Sequence, residues 1–184
     1  MKTIDYYMSP GSPWTYLGHA RLADMAKRHG AQVNVKPVDF GVIFPQSGGL
    51  PLPKRAPHRQ AYRLVELKRW KEHLGVPLVI QPKFFPVDAG PAASLIAGAR
   101  PEARMALTGD LLAALWKDDR NIADPALLEE LGRRHGATPD KAQFEAFTQE
   151  ALGRNVFGAP SYVYRDEIFW GQDRLDFLDR ALGK

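Results

Sequence analysis

Apolar and polar positions along this chain fall into alternating stretches that predict strands and 3.6-residue stretches that predict helices. Thr3-Ile4-Asp5-Tyr6-Tyr7-Met8 is rich in β-branched and aromatic residues and ends at a Pro/Gly break, which predicts a strand. Leu17, Ala20, Leu22, Met25 and Ala26 then recur at helical spacing, with Gly30 placed to stop the helix. Gln32 to Val38 alternates again and predicts a second strand. Strand, helix, strand implies a right-handed crossover and a parallel pair. The turn between the first strand and the first helix is Ser9-Pro10-Gly11-Ser12-Pro13-Trp14-Thr15. Ser12 fits an N-cap and Pro13 the first helical position, where a missing N–H costs nothing.

Phe40 to Ala56, dense in Gly and Pro, predicts a long loop, and loops of this length often carry function. Pro57 to His73 predicts a helix with Ala61, Val65, Leu67, Trp70 and Leu74 as its apolar positions and Gly75 as its stop. Arg59, Arg63 and Arg69 on it suit solvated charges, with Arg59 in the first turn placed to reach a carboxylate. Residues 76–86 form an extended apolar stretch whose prolines argue against a central strand. Four helices follow, over 90–99, 101–117, 125–135 and 139–152, with Trp116 as core. Tyr162-Val163-Tyr164 and Glu167-Ile168-Phe169-Trp170, joined by Arg165-Asp166, predict a hairpin, and Gly171-Gln172-Asp173-Arg174 opens a final helix.

Composition narrows the chemistry. The chain has no cysteine, which removes a disulfide, a protein thiol nucleophile and a thiolate metal site. Its net charge of +4 is spread among acids, which favours a small anionic ligand and gives no footprint for nucleic acid. No run approaches membrane-span length and the first residues lack an apolar leader core, so a cytoplasmic location away from membranes is expected. The five histidines show no metal-ligand spacing, and no phosphate loop, dinucleotide fingerprint or Ser-His-acid motif is present.

Locally, Ser12 needs no explanation beyond capping, and Pro160 none beyond starting an edge strand. Four pieces taken together add more: Ser12-Pro13-Trp14-Thr15-Tyr16-Leu17, Pro57-His58-Arg59, Gly158-Ala159-Pro160, and Trp170-Gly171-Gln172-Asp173-Arg174-Leu175. In this combination the chain resembles the 2-hydroxychromene-2-carboxylate isomerases and the related kappa-class glutathione transferases. The resemblance implies an α/β, thioredoxin-like fold with a helical insertion of the DsbA/kappa kind. The whole chain, 1–184, would form one unit, with thioredoxin-like parts at about 1–55 and 153–184 and the insertion at about 56–152. Ser12 and Thr15 stand where disulfide oxidoreductases carry their cysteine pair, which rules out that activity here.

The resemblance further implies glutathione as cofactor, with Ser12 facing its thiol and lowering the thiol pKa. Arg59 would meet the glycyl carboxylate. A cis Ala159–Pro160 bond would present the Ala159 backbone to the cysteinyl peptide. The N–H groups of Gln172 and Asp173, with the Asp173 carboxylate, would hold the γ-glutamyl end. Trp14 and Tyr6 would wall the substrate pocket, although core packing accounts for them equally well. Two departures from the family pattern stand out: Gln172 replaces a Ser or Asn, and the loop before Pro57 lacks the usual asparagine. The implied reaction is cis-trans isomerisation of an aromatic pyruvate-type substrate through reversible addition of the borrowed thiol. The alternatives are a kappa-like transferase or peroxidase and, from another class, a non-catalytic thioredoxin-like binding module. The partners implied are glutathione, a small-molecule substrate and a second copy of the chain as a homodimer.

Overall fold

A computed structural model describes residues 1–184. Strand β1 (Lys2–Met8) leads into helix α1 (Pro13–His29) and strand β2 (Ala31–Pro37), with β1 and β2 parallel and Tyr6 opposite Val35. After six further helices the chain returns as β3 (Ser161–Tyr164) and β4 (Glu167–Trp170), an antiparallel hairpin that joins the other edge of β1. The sheet order is β2-β1-β3-β4. The architecture is mixed α/β, the thioredoxin-like fold with a helical insertion that the resemblance implies.

The intervening helices are α2 (Phe40–Ser47), α3 (Pro57–Leu74), α4 (Gly90–Gly98), α5 (Pro101–Trp116), α6 (Pro125–His135) and α7 (Lys141–Gly153); α8 (Leu175–Leu182) closes the chain. No helix is long and apolar enough to cross a membrane. The starts are legible one by one. Ser12, Asp124 and Asp140 accept hydrogen bonds from first-turn N–H groups of α1, α6 and α7, and proline opens α1, α3 and α6. Gly30 closes α1 at φ 59°, donating its N–H to Ala26 and Lys27.

Most of the core lies on one face of the sheet, where Ile4, Tyr6 and Met8 of β1 pack with α1 and the inserted helices. Tyr7 points the other way into a smaller cluster with Val38, Ile43 and Phe147. Burial on both faces is why β1 lacks a clean polar alternation.

Three expectations are corrected. The stretch 40–56 is not an open loop: Asp39 caps Gly41 N–H at 2.7 Å, Gly48 stops α2 at φ 74°, and Leu52–Lys54 makes one 3-10 turn. The capped helix is short and holds Pro45, so its composition imitates a loop. On α3 the expected apolar positions Leu67, Trp70 and Leu74 pack on the core, but Ala61 and Val65 are exposed and Arg63 is buried instead. Tyr6 is fully buried at the centre of the sheet, stacked on Tyr162 at 5.3 Å, and cannot wall a pocket.

Candidate active site

The amino end of α1 is held open by its own sequence. Ser12 adopts extended backbone (φ −93°, ψ 123°) and its Oγ accepts the Thr15 N–H at 3.2 Å. Tyr16 N–H goes to the Ser12 carbonyl and Pro13 has no N–H, which leaves that of Trp14. The cap uses a lone pair of the Ser12 hydroxyl and not its hydrogen, so the O–H remains free to donate outward. Together with the helix dipole, this end favours an anion, sulfur included.

The base of α1 is fixed by a buried histidine. His19 accepts from the Tyr6 hydroxyl at Nδ1 (3.4 Å) and donates from Nε2 to the Met105 carbonyl (3.0 Å), the pattern of a neutral ring. Burial lowers its pKa from 6.5 to about 4, against a smaller opposing effect of the Met105 bond. The unfolded chain therefore takes up this proton first as the pH falls. Stability is full above about 6.5 and declines through the window from 6.5 to 4, by about 3 kcal/mol in all. Denaturant unfolding at pH 7.5 and 4.5 should show this loss, and a His19→Gln variant should lack most of it.

Beside Ser12, the Ala159–Pro160 bond is cis. Around it Ser161 Oγ donates to the Gly158 carbonyl at 2.7 Å, and Gly171 N–H donates to the Pro160 carbonyl at 2.8 Å. Neither the N–H nor the C=O of Ala159 is engaged by another protein group. A Cβ at Gly158 would stand 2.4 Å from the Trp170 indole nitrogen, so a side chain there would displace the indole from the cleft wall. Gly171 has to be glycine for conformational reasons, at φ 98°. Its turn delivers Gln172 and Asp173 to the cleft.

Gln172 is buried, and Arg21 donates to both its side-chain oxygen (2.7 Å) and its carbonyl (3.2 Å). Its side chain is therefore a brace, and only its backbone N–H can serve a guest. Asp173 is partly exposed and accepts a hydrogen bond from Arg174 through Oδ2.

Two clefts flank this centre. One, of about 620 Å³, runs from Arg59 and Trp70 to Gln172 and Asp173 and carries most of the charged side chains, set among three tryptophans. The other, of about 610 Å³, lies over Ser12 and is walled by Phe40, Phe44, Phe85 and Phe157. They share Trp14, Arg55, Arg59, Arg63, Ala159 and Trp170. The structure thus brings Ser12, Trp14, Arg59, Ala159, Gln172 and Asp173 to one double cleft, and leaves out Tyr6.

Sequence reasoning missed the aromatic wall and two arginines. Arg55 is half-buried, donates to the Leu50 carbonyl at 2.8 Å, and has its pKa lowered by burial and by Arg59. Arg63 is only 8% exposed, and burial followed by the Arg55 charge lowers its pKa to about 10. The available signal was spacing: Arg59 and Arg63 lie four apart, on one face of α3.

Residues 3–183 match the DSBA-like thioredoxin domain. A 2-hydroxychromene-2-carboxylate isomerase of Pseudomonas sp. (strain C18) is 30% identical, with 98% of this chain and 90% of that one covered. Its counterpart in Sphingobium xenophagum is 28% identical over 98% of both. The solved structure of a 2-hydroxychromene-2-carboxylate isomerase superposes with a TM-score of 0.80 at 25% identity, covering 98% of this chain and 94% of that one.

Proposed function

Since the chain belongs to the DSBA-like thioredoxin family and matches 2-hydroxychromene-2-carboxylate isomerases from end to end, we propose that it is a glutathione-dependent isomerase of an aromatic pyruvate-type substrate. The observation that carries this is the shared wall. A cleft with Arg59 and Asp173 in its lining abuts an aromatic cleft that holds Ser12, and Trp14 and Ala159 belong to both.

The charged cleft suits a tripeptide with two carboxylates and one ammonium. Arg59 offers charge to the glycyl carboxylate, and the N–H groups at 172–173 offer donors to the γ-glutamyl one. The free Ala159 edge suits the peptide in between. Glutathione bound there would supply a thiolate, the nucleophile for reversible addition to a conjugated carbon that turns a double bond into a rotatable single bond. The Ser12 hydroxyl and Trp14 N–H would stabilise negative charge at that sulfur, beside the wall that the two clefts share. The phenylalanines hold the flat substrate and keep water away from the reacting carbon.

Isomerisation of a hydroxychromene carboxylate followed by absorbance, with and without glutathione, tests the reading; equal rates would defeat it. Asp173→Asn should weaken glutathione binding roughly 10- to 100-fold by calorimetry, the value of a charge-assisted hydrogen bond. Its thermal stability should change little, because the Asp173–Arg174 pair is solvent-exposed.

A further inference from the structure

Arg63 is the most unusual charged side chain in the molecule. It is 92% buried by its 8% exposure, Nη2 has no hydrogen-bond partner in the protein, and no acid forms an ion pair with it. The guanidinium lies over the Phe85 ring at 4.9 Å and near the Trp116 ring at 5.9 Å. Trp116 Nε1 in the same neighbourhood is also a buried donor without a partner. Stacking on Phe85 offsets only part of the cost of removing a cation from water. Arg55 makes matters worse by repulsion. The aromatic cleft contains Arg55, Arg59 and Arg63 and not one Asp or Glu.

From these observations we propose that Arg63 is a specificity-determining residue that receives the carboxylate of an aromatic ligand at the floor of the aromatic cleft. A planar carboxylate matches the guanidinium fork, and the ligand's ring then lies among Phe44, Phe85 and Phe157. Arg55 is already committed to Leu50, and Arg59 stands at the exposed rim where the tripeptide's own carboxylate is placed. The assignment relies on the isomerase reading only for putting the substrate, and not glutathione, in this cleft. It commits the protein to anionic conjugated aromatics over their neutral isosteres.

The test uses trans-cinnamate and its neutral analogue cinnamamide, titrated by tryptophan fluorescence or calorimetry into the glutathione-loaded and glutathione-free protein. The wild type should bind the acid at least 10-fold more tightly than the amide. Arg63→Met, which keeps length and apolar packing on Phe85, should bring that ratio to near one while amide and glutathione affinities stay put. Arg63→Lys, the variant to use should Met fail to fold, keeps the charge but loses the fork, and should cut the ratio at least threefold. A wild-type ratio near one, or a ratio unaffected by both variants, overturns the proposal. So does a parallel fall in glutathione affinity, which would give Arg63 to the tripeptide. If cinnamate selectivity depends on Arg63 but glutathione does not bind, this inference stands and the isomerase reading falls.

Discussion

Ser12→Ala is expected to lower kcat about 100- to 1,000-fold, the usual cost of removing a preorganised donor from developing negative charge. The same change also removes the cap of α1, with a stability loss of about 1 kcal/mol, so activity and folding must be separated. Ser12→Gly does this. Glycine is nearly as good at an N-cap, costing only a few tenths of a kcal/mol, yet it has no hydroxyl. Both variants should fall equally in kcat, while the glycine variant unfolds close to the wild type in a thermal scan. If the glycine variant kept most of its rate, the hydroxyl would be a cap and nothing more. The pH profile offers a second reading: the pH above which the rate levels off should move upward in both variants, since the hydroxyl favours the sulfur anion.

Trp116→Ala is expected to produce the largest stability effect. The side chain is fully buried and packs against Phe85 at a ring separation of 5.0 Å. Truncation should cost roughly 3–5 kcal/mol and lower Tm by on the order of 10 °C. Trp116→Phe keeps the ring contact and also removes an indole N–H that has no partner. Its cost should therefore stay below about 1.5 kcal/mol. Thermal unfolding of the pair separates volume from polarity. The alanine variant should also loosen the floor on which Phe85 and Arg63 rest, weakening ligand binding in the aromatic cleft beyond the stability loss.

The elements around the centre were legible because each carries local chemistry. Ser12 and Pro13 announce a helix start, Gly30 and Gly75 a stop, and the alternation in 162–170 a hairpin, and the structure places each accordingly. The failures share a different cause. Whether Arg63 faces solvent depends on what covers α3, and that cover includes Phe85 from a segment more than twenty residues away. Helical periodicity reports a face but not where a distant partner's cover ends, so Val65 looked inward and Arg63 outward. Tyr6 was misplaced for a related reason. Register opposite Tyr162 puts it mid-sheet, and that pairing joins opposite ends of the chain. In α2, the Asp39 cap was the available cue, and the density of Gly and Pro concealed it.

The aromatic cleft takes much of its outer wall from one short stretch, α2 and the turn after it, whereas the charged cleft takes nothing from there. That segment is held by the Asp39 cap and by Ile43, fully buried in the smaller cluster, so its other side chains can be rewritten cheaply. On the proposed reading, descendants of this scaffold could trade one aromatic diet for another by editing about a dozen residues, while the groups proposed to hold the sulfur stay unchanged.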